Sequence, residues 1–306
     1  DYSVLTPRRF AARLALVHNG REVSRQHLGA AVRVRWVTPR PVPGLALVAG
    51  RFKETTRTVQ EQRHRVLLSG EIHLDPEQIL TSVAASDTLF TEIYGTSGLP
   101  GATLFVSGAL TRAFNDGSGL IGIPADRFRR GDYGATTVAY EIAHNWWGGT
   151  VAEKWLRPGT GGAWVVGGLA EFSSWMAVRE QLGEAAMVRL RARDFFDPKR
   201  TPPLRGLSVF DNYLDPQSRS AIYGKGAYVT SLLRQTVGDA AFATAARELL
   251  DRFRYSQVTD GDVEAVFSKV AGRDLSEFFA VWVRSNAMQD LALDASEGGA
   301  VVNNRG

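Results

Sequence analysis

Apolar positions follow two different periods along this chain, and the change between them falls near residue 76. Before it, "FAARLALVH", "AAVRVRWV", "GLALVAGRF" and "HRVLLSGEIHL" alternate apolar with polar residues or concentrate β-branched ones, and Pro and Gly separate them, as in "TPRPVPG". A period of two places alternate side chains on one face of a strand, so these segments are expected to be strands. From residue 77 to 94, "EQILTSVAASDTLFTEIY" spaces its apolar groups three and four apart and stops at Gly95. That pattern predicts an amphipathic helix with a glycine C-cap. Two short strands, "ATLFVS" and "GLIGIP", come next. Helices are then expected over 135–147, about 168–182, 184–195, 219–237, 239–253, 260–271 and 274–285, several of them closed by Gly183, Gly238 or Gly272. Strands followed by helices predict an α+β organisation, a β layer feeding a helical lobe. The tail "SEGGAVVNNRG" is expected to be mobile, and no internal repeat or low-complexity tract is present.

With 44% hydrophobic and 22% charged residues, the 306-residue chain has the composition of a globular protein rather than a disordered one. Its longest apolar stretch, around "GGAWVVGGLA", is short and broken by glycine, so no membrane span is expected in these residues. The net charge of +4 is spread along the chain. The one basic cluster, "RFRR" at 127–130, reads as a solvated loop, and no nucleic-acid partner is expected. The absence of cysteine excludes disulfides, thiolate metal ligands and a cysteine nucleophile. A start at Asp1 without a basic and apolar leader pattern is expected of a processed chain or of a piece of a longer one, and leaves the compartment open.

One segment carries candidate chemistry. "VAYEIAHNWWGG" (138–149) contains Tyr140, Glu141 and His144, and helical spacing puts Tyr140 and His144 on one face with Glu141 beside them. Taken alone, a Glu and a His on an aromatic-rich helix are more often structural than functional. The segment resembles the zinc helix H-E-x-x-H of the aminopeptidase-N-type gluzincins, in which two His grip the metal and the Glu acts as general base. Asn145, Trp146, Trp147 and Gly148 continue the likeness. Downstream, "AWVVGGLAEF" (163–172) is similar to that family's W-L-x-E-G-F-A motif, matching at Trp164, Gly168, Leu169 and Ala170. "AIYGKGAYV" (221–229) resembles its Y-x-K-G segment, which places Tyr223 on the tyrosine that stabilises the transition state. "LALVAGRF" with the helix from 77, and the final "FFAVWVRSNAMQDLALD", resemble the entry to and exit from a thermolysin-like catalytic domain.

The resemblance implies a mostly helical thermolysin-like (gluzincin) domain over 76–288, preceded at 1–75 by the last strands of a β-rich N-terminal domain and followed by a tail at 289–306. It also implies zinc, but the chain departs from the pattern at the ligands. The first His falls on Tyr140 and the third-ligand Glu on Gly167, in a link lengthened by "RPGTGG" (157–162), so that only His144 remains. The family's G-x-M-E-N glutamate, which holds a substrate's amino group, falls approximately on Asp116. Glu171, one turn after Gly167, is placed to substitute for the missing Glu, and a Tyr140 oxygen could meet a metal only once deprotonated. His18, His27, His64 and His73 lie in the β-rich first quarter, where the resembled fold has no ligand.

Other signals are set aside. "GSGLIG" (117–122) fits a dinucleotide fingerprint but precedes a strand, and "YGKGA" lacks P-loop spacing. No G-x-S-x-G elbow is present. Trp146, Trp147, Trp155, Trp164 and Trp175 are expected to pack between helices, and Asp211, Asn212, Tyr213 and Asp215 to form a solvated loop. The leading expectation is a pseudopeptidase without bound metal or other cofactor, acting as a binding or structural module for a peptide or protein ligand in its cleft, to which Asp116, Tyr140 and Glu171 contribute. One alternative is a metal-free acid-base enzyme using Glu141, His144 and Tyr223. A second is a metallo-aminopeptidase with unorthodox zinc ligands.

Overall fold

The computed structural model describes residues 2–38, 40–115, 117–129, 133–153, 161–193, 203–207, 215–285, 291–296 and 299–304. The chain opens with strand β1 (Tyr2–Pro7), a single helical turn α1 (Arg8–Ala11), and strands β2 (Ala15–His18), β3 (Arg21–Leu28), β4 (Ala31–Val37), β5 (Leu47–Gly50), β6 (Phe52–Val59) and β7 (Gln62–Ser69). The expected strand "FAARLALVH" thus begins at the end of α1 and is a strand only from Ala15. β1, β4 and β3 form one antiparallel sheet, and β2 pairs with β5. In β4 the alternation is carried through: Val32, Val34 and Trp36 are buried while Arg33 and Arg35 point out.

Helix α2 (Pro76–Tyr94) starts as its sequence suggests. The Asp75 side chain accepts the Glu77 amide at 2.9 Å, Pro76 occupies the first turn, and Gly95 ends the helix at φ 80°. α2 crosses between β7 and β8 (Thr103–Ser107), which run parallel. β10 (Leu120–Pro124) adds parallel to β8, and the short β9 (Phe114–Asn115) pairs antiparallel with β10. The resulting five-stranded sheet, β6-β7-β8-β10-β9, draws strands from both sides of residue 76.

Helices then dominate: α3 (Tyr133–Ala143), α4 (Gly162–Leu182), α5 (Glu184–Arg193), α6 (Pro216–Ser220), α7 (Gly226–Val237), α8 (Asp239–Arg252), α9 (Asp260–Ala271) and α10 (Ser276–Trp282). α4 begins six residues before its expected start at 168, so Trp164 and Gly167 lie inside it. The expected helix over 219–237 is interrupted by a π turn, Ala221–Lys225, between α6 and α7. Asp215, expected in a solvated loop, caps α6 by accepting the Ser218 amide at 2.7 Å; Asp211, Asn212, Tyr213 and Trp155 lie outside the described residues. α9 opens with a capping box between Thr259 and Asp262. β11 (Val151–Glu153) and β12 (Ser256–Val258) form a small parallel pair behind the helices.

One large core joins the sheet to α2, α3, α4, α7, α8 and α9, and it contains Trp146, Trp147 and Trp164, all fully buried. The tryptophans fill space between elements, each large apolar side chain contributing about 1.5–3 kcal/mol through burial. The tail departs from expectation: β13 (Leu291–Ser296) and β14 (Gly299–Asn304) form an antiparallel hairpin in place of a mobile end. No helix among the described residues is long and apolar enough to cross a membrane.

Candidate functional site

α3 carries Tyr140 and Glu141 and ends at Ala143, four residues before its expected end at 147, so His144 sits just past the last helical residue. The turn that follows is held by backbone bonds from Trp146 and Trp147 to Ala143 and by Gly148 N donating to Val151 O at 2.7 Å. His144 keeps its place beside Tyr140, the two rings meeting edge to face with centroids 4.6 Å apart. Tyr223 arrives from the π turn and meets Tyr140 edge to face at 5.9 Å; the two tyrosines also share a hydrogen bond. Tyr140 therefore contacts both the His144 ring and the Tyr223 ring.

The π turn is a structural choice with a visible reason. α4 and α7 cross backbone against backbone: a Cβ at Gly168 would lie 2.8 Å from Gly226 Cα, and one at Gly226 would lie 3.0 Å from Gly168 Cα. Glycine at both positions permits this approach, and the π turn directly before Gly226 carries Tyr223, whose ring lies against Gly167 of α4. Lys225, fully buried, ties the same turn to the segment just after α10 by donating to Ser285 O at 3.0 Å, and burial lowers its amine to about 8.

Gly167 lies on the face of α4 directed at this turn. A Cβ there would stand 2.7 Å from Ile222 Cγ2 and 3.0 Å from Tyr223 Cε1. Contacts that short leave no room for a longer side chain unless Tyr223 moves. Glu171, one turn further, is buried, accepts the Ser174 hydroxyl at 3.3 Å, and is near enough for its charge to raise Tyr140. Asp116 lies outside the described residues. Its neighbour Asn115 was not singled out by sequence, yet its amide donates to Glu141 O and to Asn145 Oδ1, joining β9 to α3. Arg40, from the Pro-rich segment, donates to Gly149 O at 2.5 Å, to Gly117 O at 2.9 Å and to Asn145 O at 3.4 Å. No motif marked either residue, because their partners lie 26 to 109 positions away.

The electrostatics of the site follow from burial. Glu141 is 4% exposed, its carboxyl has no hydrogen bond among the described residues, and burial pushes it up to about 8. His144 is lowered, chiefly by burial, with the Trp147 carbonyl opposing. Because a carbonyl can only accept, the 2.7 Å contact from Nδ1 to Trp147 O places the proton on Nδ1 and leaves the Nε2 lone pair open. Tyr140 is pushed well above the ordinary tyrosine range by burial first, then by Tyr223, Glu141 and Glu171. At neutral pH Tyr140, Glu141 and His144 thus form an uncharged set: a carboxylic acid able to donate, an imidazole able to accept, and a phenol. His18 and His64 take no part; His64 Nδ1 accepts the Ala102 amide at 3.3 Å, and His18 Nδ1 contacts the Tyr2 hydroxyl. Among the described residues no group of three or more His, Asp or Glu side chains is placed to hold a metal ion.

Comparison with known proteins follows this geometry. The family model described as Peptidase family M1 domain matches residues 128–282, about half of the chain. Leucyl aminopeptidase of Saccharolobus solfataricus is 26% identical over 156 residues, which cover 49% of this chain and 19% of that protein. The chain therefore spans about a fifth of the length of such curated relatives. A variant of an M1 zinc metallopeptidase from Deinococcus radiodurans, solved with a Tyr-Ser-Ala substrate, superposes at TM-score 0.74 and 18% identity over 94% of this chain and 63% of that one. Legionella pneumophila aminopeptidase A, in complex with aspartic acid, superposes at TM-score 0.77 and 18% identity over 95% of this chain and 35% of that one. The likeness to these solved structures extends over most of the chain's fold, and the family match over 128–282 carries one conclusion: the chain belongs to peptidase family M1.

Proposed function

We propose that this chain is an M1 peptidase domain that has given up zinc hydrolysis and serves as a binding module for a peptide or protein segment in its cleft. The observation that carries the proposal is the packing at Gly167, where Ile222 and Tyr223 occupy the space a third ligand side chain would need. The remaining donors fit zinc poorly. A catalytic site takes three protein ligands and an open position. Here one imidazole nitrogen is accompanied by a phenol whose ionisation is strongly disfavoured and by Glu171. Without a metal to acidify water, hydrolysis loses on the order of several kcal/mol of barrier lowering. What supports a peptide as ligand is the Tyr-Ser-Ala substrate bound by the Deinococcus relative, together with the rings of His144 and Tyr223 that meet Tyr140.

The test is zinc binding by calorimetry and metal analysis of the purified chain, paired with fluorescence binding of a short-peptide library. Sub-stoichiometric zinc with saturable, chelator-insensitive peptide binding, weakened by Tyr223→Ala, is the expected result. Stoichiometric zinc lost on His144→Ala together with peptide cleavage would overturn the proposal in favour of unorthodox ligands. A second reading rests on Glu141 and His144 as a neutral donor and a neutral acceptor three residues apart at the end of α3. It describes a metal-free acid-base enzyme in which Tyr223 donates to a developing oxyanion. Turnover that survives chelation and collapses in Glu141→Gln would favour it.

A further inference from the structure

A concavity that includes none of Tyr140, Glu141, His144 and Tyr223 lies between the N-terminal strands and the five-stranded sheet. It encloses roughly 510 Å³, within the range of small-molecule sites. One wall is the β2–β3 turn with Arg21, the other is β7 with Arg63 and Arg65, and Val37, Leu99 and Leu120 supply apolar surface. The charges are unbalanced. Glu54 is the one carboxylate that meets these arginines among the described residues: it accepts Arg65 through two bonds of 2.9 and 3.0 Å and lies 3.7 Å from Arg63. The Arg21 side chain has no hydrogen bond or ion pair among the described residues, its backbone pairing with Val37 in the β3–β4 ladder. His18 adds no charge at neutral pH, since burial lowers it to about 4. Three arginines thus line the concavity while Glu54 engages only Arg65 and Arg63, and folding brings Arg21 to the other two from more than forty residues away.

The geometry points to a site for a small organic anion: we propose that this cleft binds a compact ligand with one carboxylate or phosphate group held by Arg21 and Arg63 and an apolar body against Val37, Leu99 and Leu120. Planar guanidinium forks match oxyanions in pairs, and a concave wall with low polarity strengthens the attraction. Arg65, already engaged by Glu54, holds the Glu54 carboxylate partly back from the incoming anion.

The experiment uses the whole 306-residue chain and three probes in calorimetric titrations at low salt: hexanoate, inorganic phosphate and uncharged hexanol. Saturable binding of hexanoate or phosphate is expected, with the stronger of the two assigning the head group. Arg21→Ala and Arg63→Ala, both at exposed side chains, should each weaken it about tenfold. Glu54→Gln should tighten it by removing the competing carboxylate, a gain that a folding defect cannot imitate. Equal binding of hexanol, no saturable binding of either anion, or binding unchanged in the Arg21→Ala, Arg63→Ala double variant would each overturn the proposal.

Discussion

Glu141 is the residue whose chemistry most depends on its surroundings. Its carboxyl, ordinarily near 4.5 in water, is pushed up to about 8 by burial in the folded chain. Between those values the folded state holds a proton that the unfolded state has lost. The contribution of this residue to stability is therefore fully present below about 4.5, falls as pH rises, and levels off above about 8. Glu141→Gln removes the dependence, so urea unfolding at a series of pH values should show the variant gaining on the parent between pH 5 and 8, by about 2–4 kcal/mol. Parallel pH profiles for the two proteins would refute a buried neutral carboxyl. Asp87, buried on α2 and raised to about 7, adds a slope of the same sign in both proteins and cancels in the difference.

At the scale of elements, the crossing of α4 and α7 decides the site's shape. Gly168→Ala and Gly226→Ala each force apart two backbones in contact, and either should cost about 1–3 kcal/mol in urea unfolding. Gly70→Ala, where an added Cβ meets nothing within 4 Å, should change stability by less than about 0.5 kcal/mol. Gly167→Ala tests the packing more finely: pressing on Ile222 and Tyr223 should destabilise the chain and alter peptide binding through the displaced Tyr223 ring. Unchanged stability and binding would show that the Tyr223 ring yields freely. The helices were legible in sequence because their apolar faces recur at helical spacing and end at Gly95, Gly183, Gly238 and Gly272. Strands β3 and β6 were not, since "REVSRQHL" is almost wholly exposed and "FKETTRTV" is polar on most positions, so neither shows the alternation that burial imposes. The π turn was illegible because it exists only where α4 and α7 meet.

Across the whole molecule, Arg40 joins the N-terminal strands to the site. Its guanidinium is buried, satisfies carbonyls in two loops that flank α3, and lies 5.2 Å from the centre of the Tyr255 ring. Arg40→Ala strands those carbonyls, at a cost of about 1–3 kcal/mol each where they stay buried. Hydrogen exchange should quicken in peptides covering 145–151, while α8 stays protected. A uniform rise across both regions would mean that Arg40 supports the fold at large and not these loops.

The sequence by itself determined the change from strands to helices near residue 76, the family likeness of the α3, α4 and Tyr223 segments, and the presence of Tyr140 and Gly167 where the resembled motifs carry metal ligands. These are properties of residue types and local spacing, which the chain carries before it folds. The tertiary structure alone decided that Ile222 and Tyr223 fill the space beside Gly167, that Glu141 keeps its proton near neutrality, and that Arg21, Arg63 and Arg65 share one cleft. Packing, desolvation and charge balance each depend on groups far away in sequence, and only the folded chain sets them side by side.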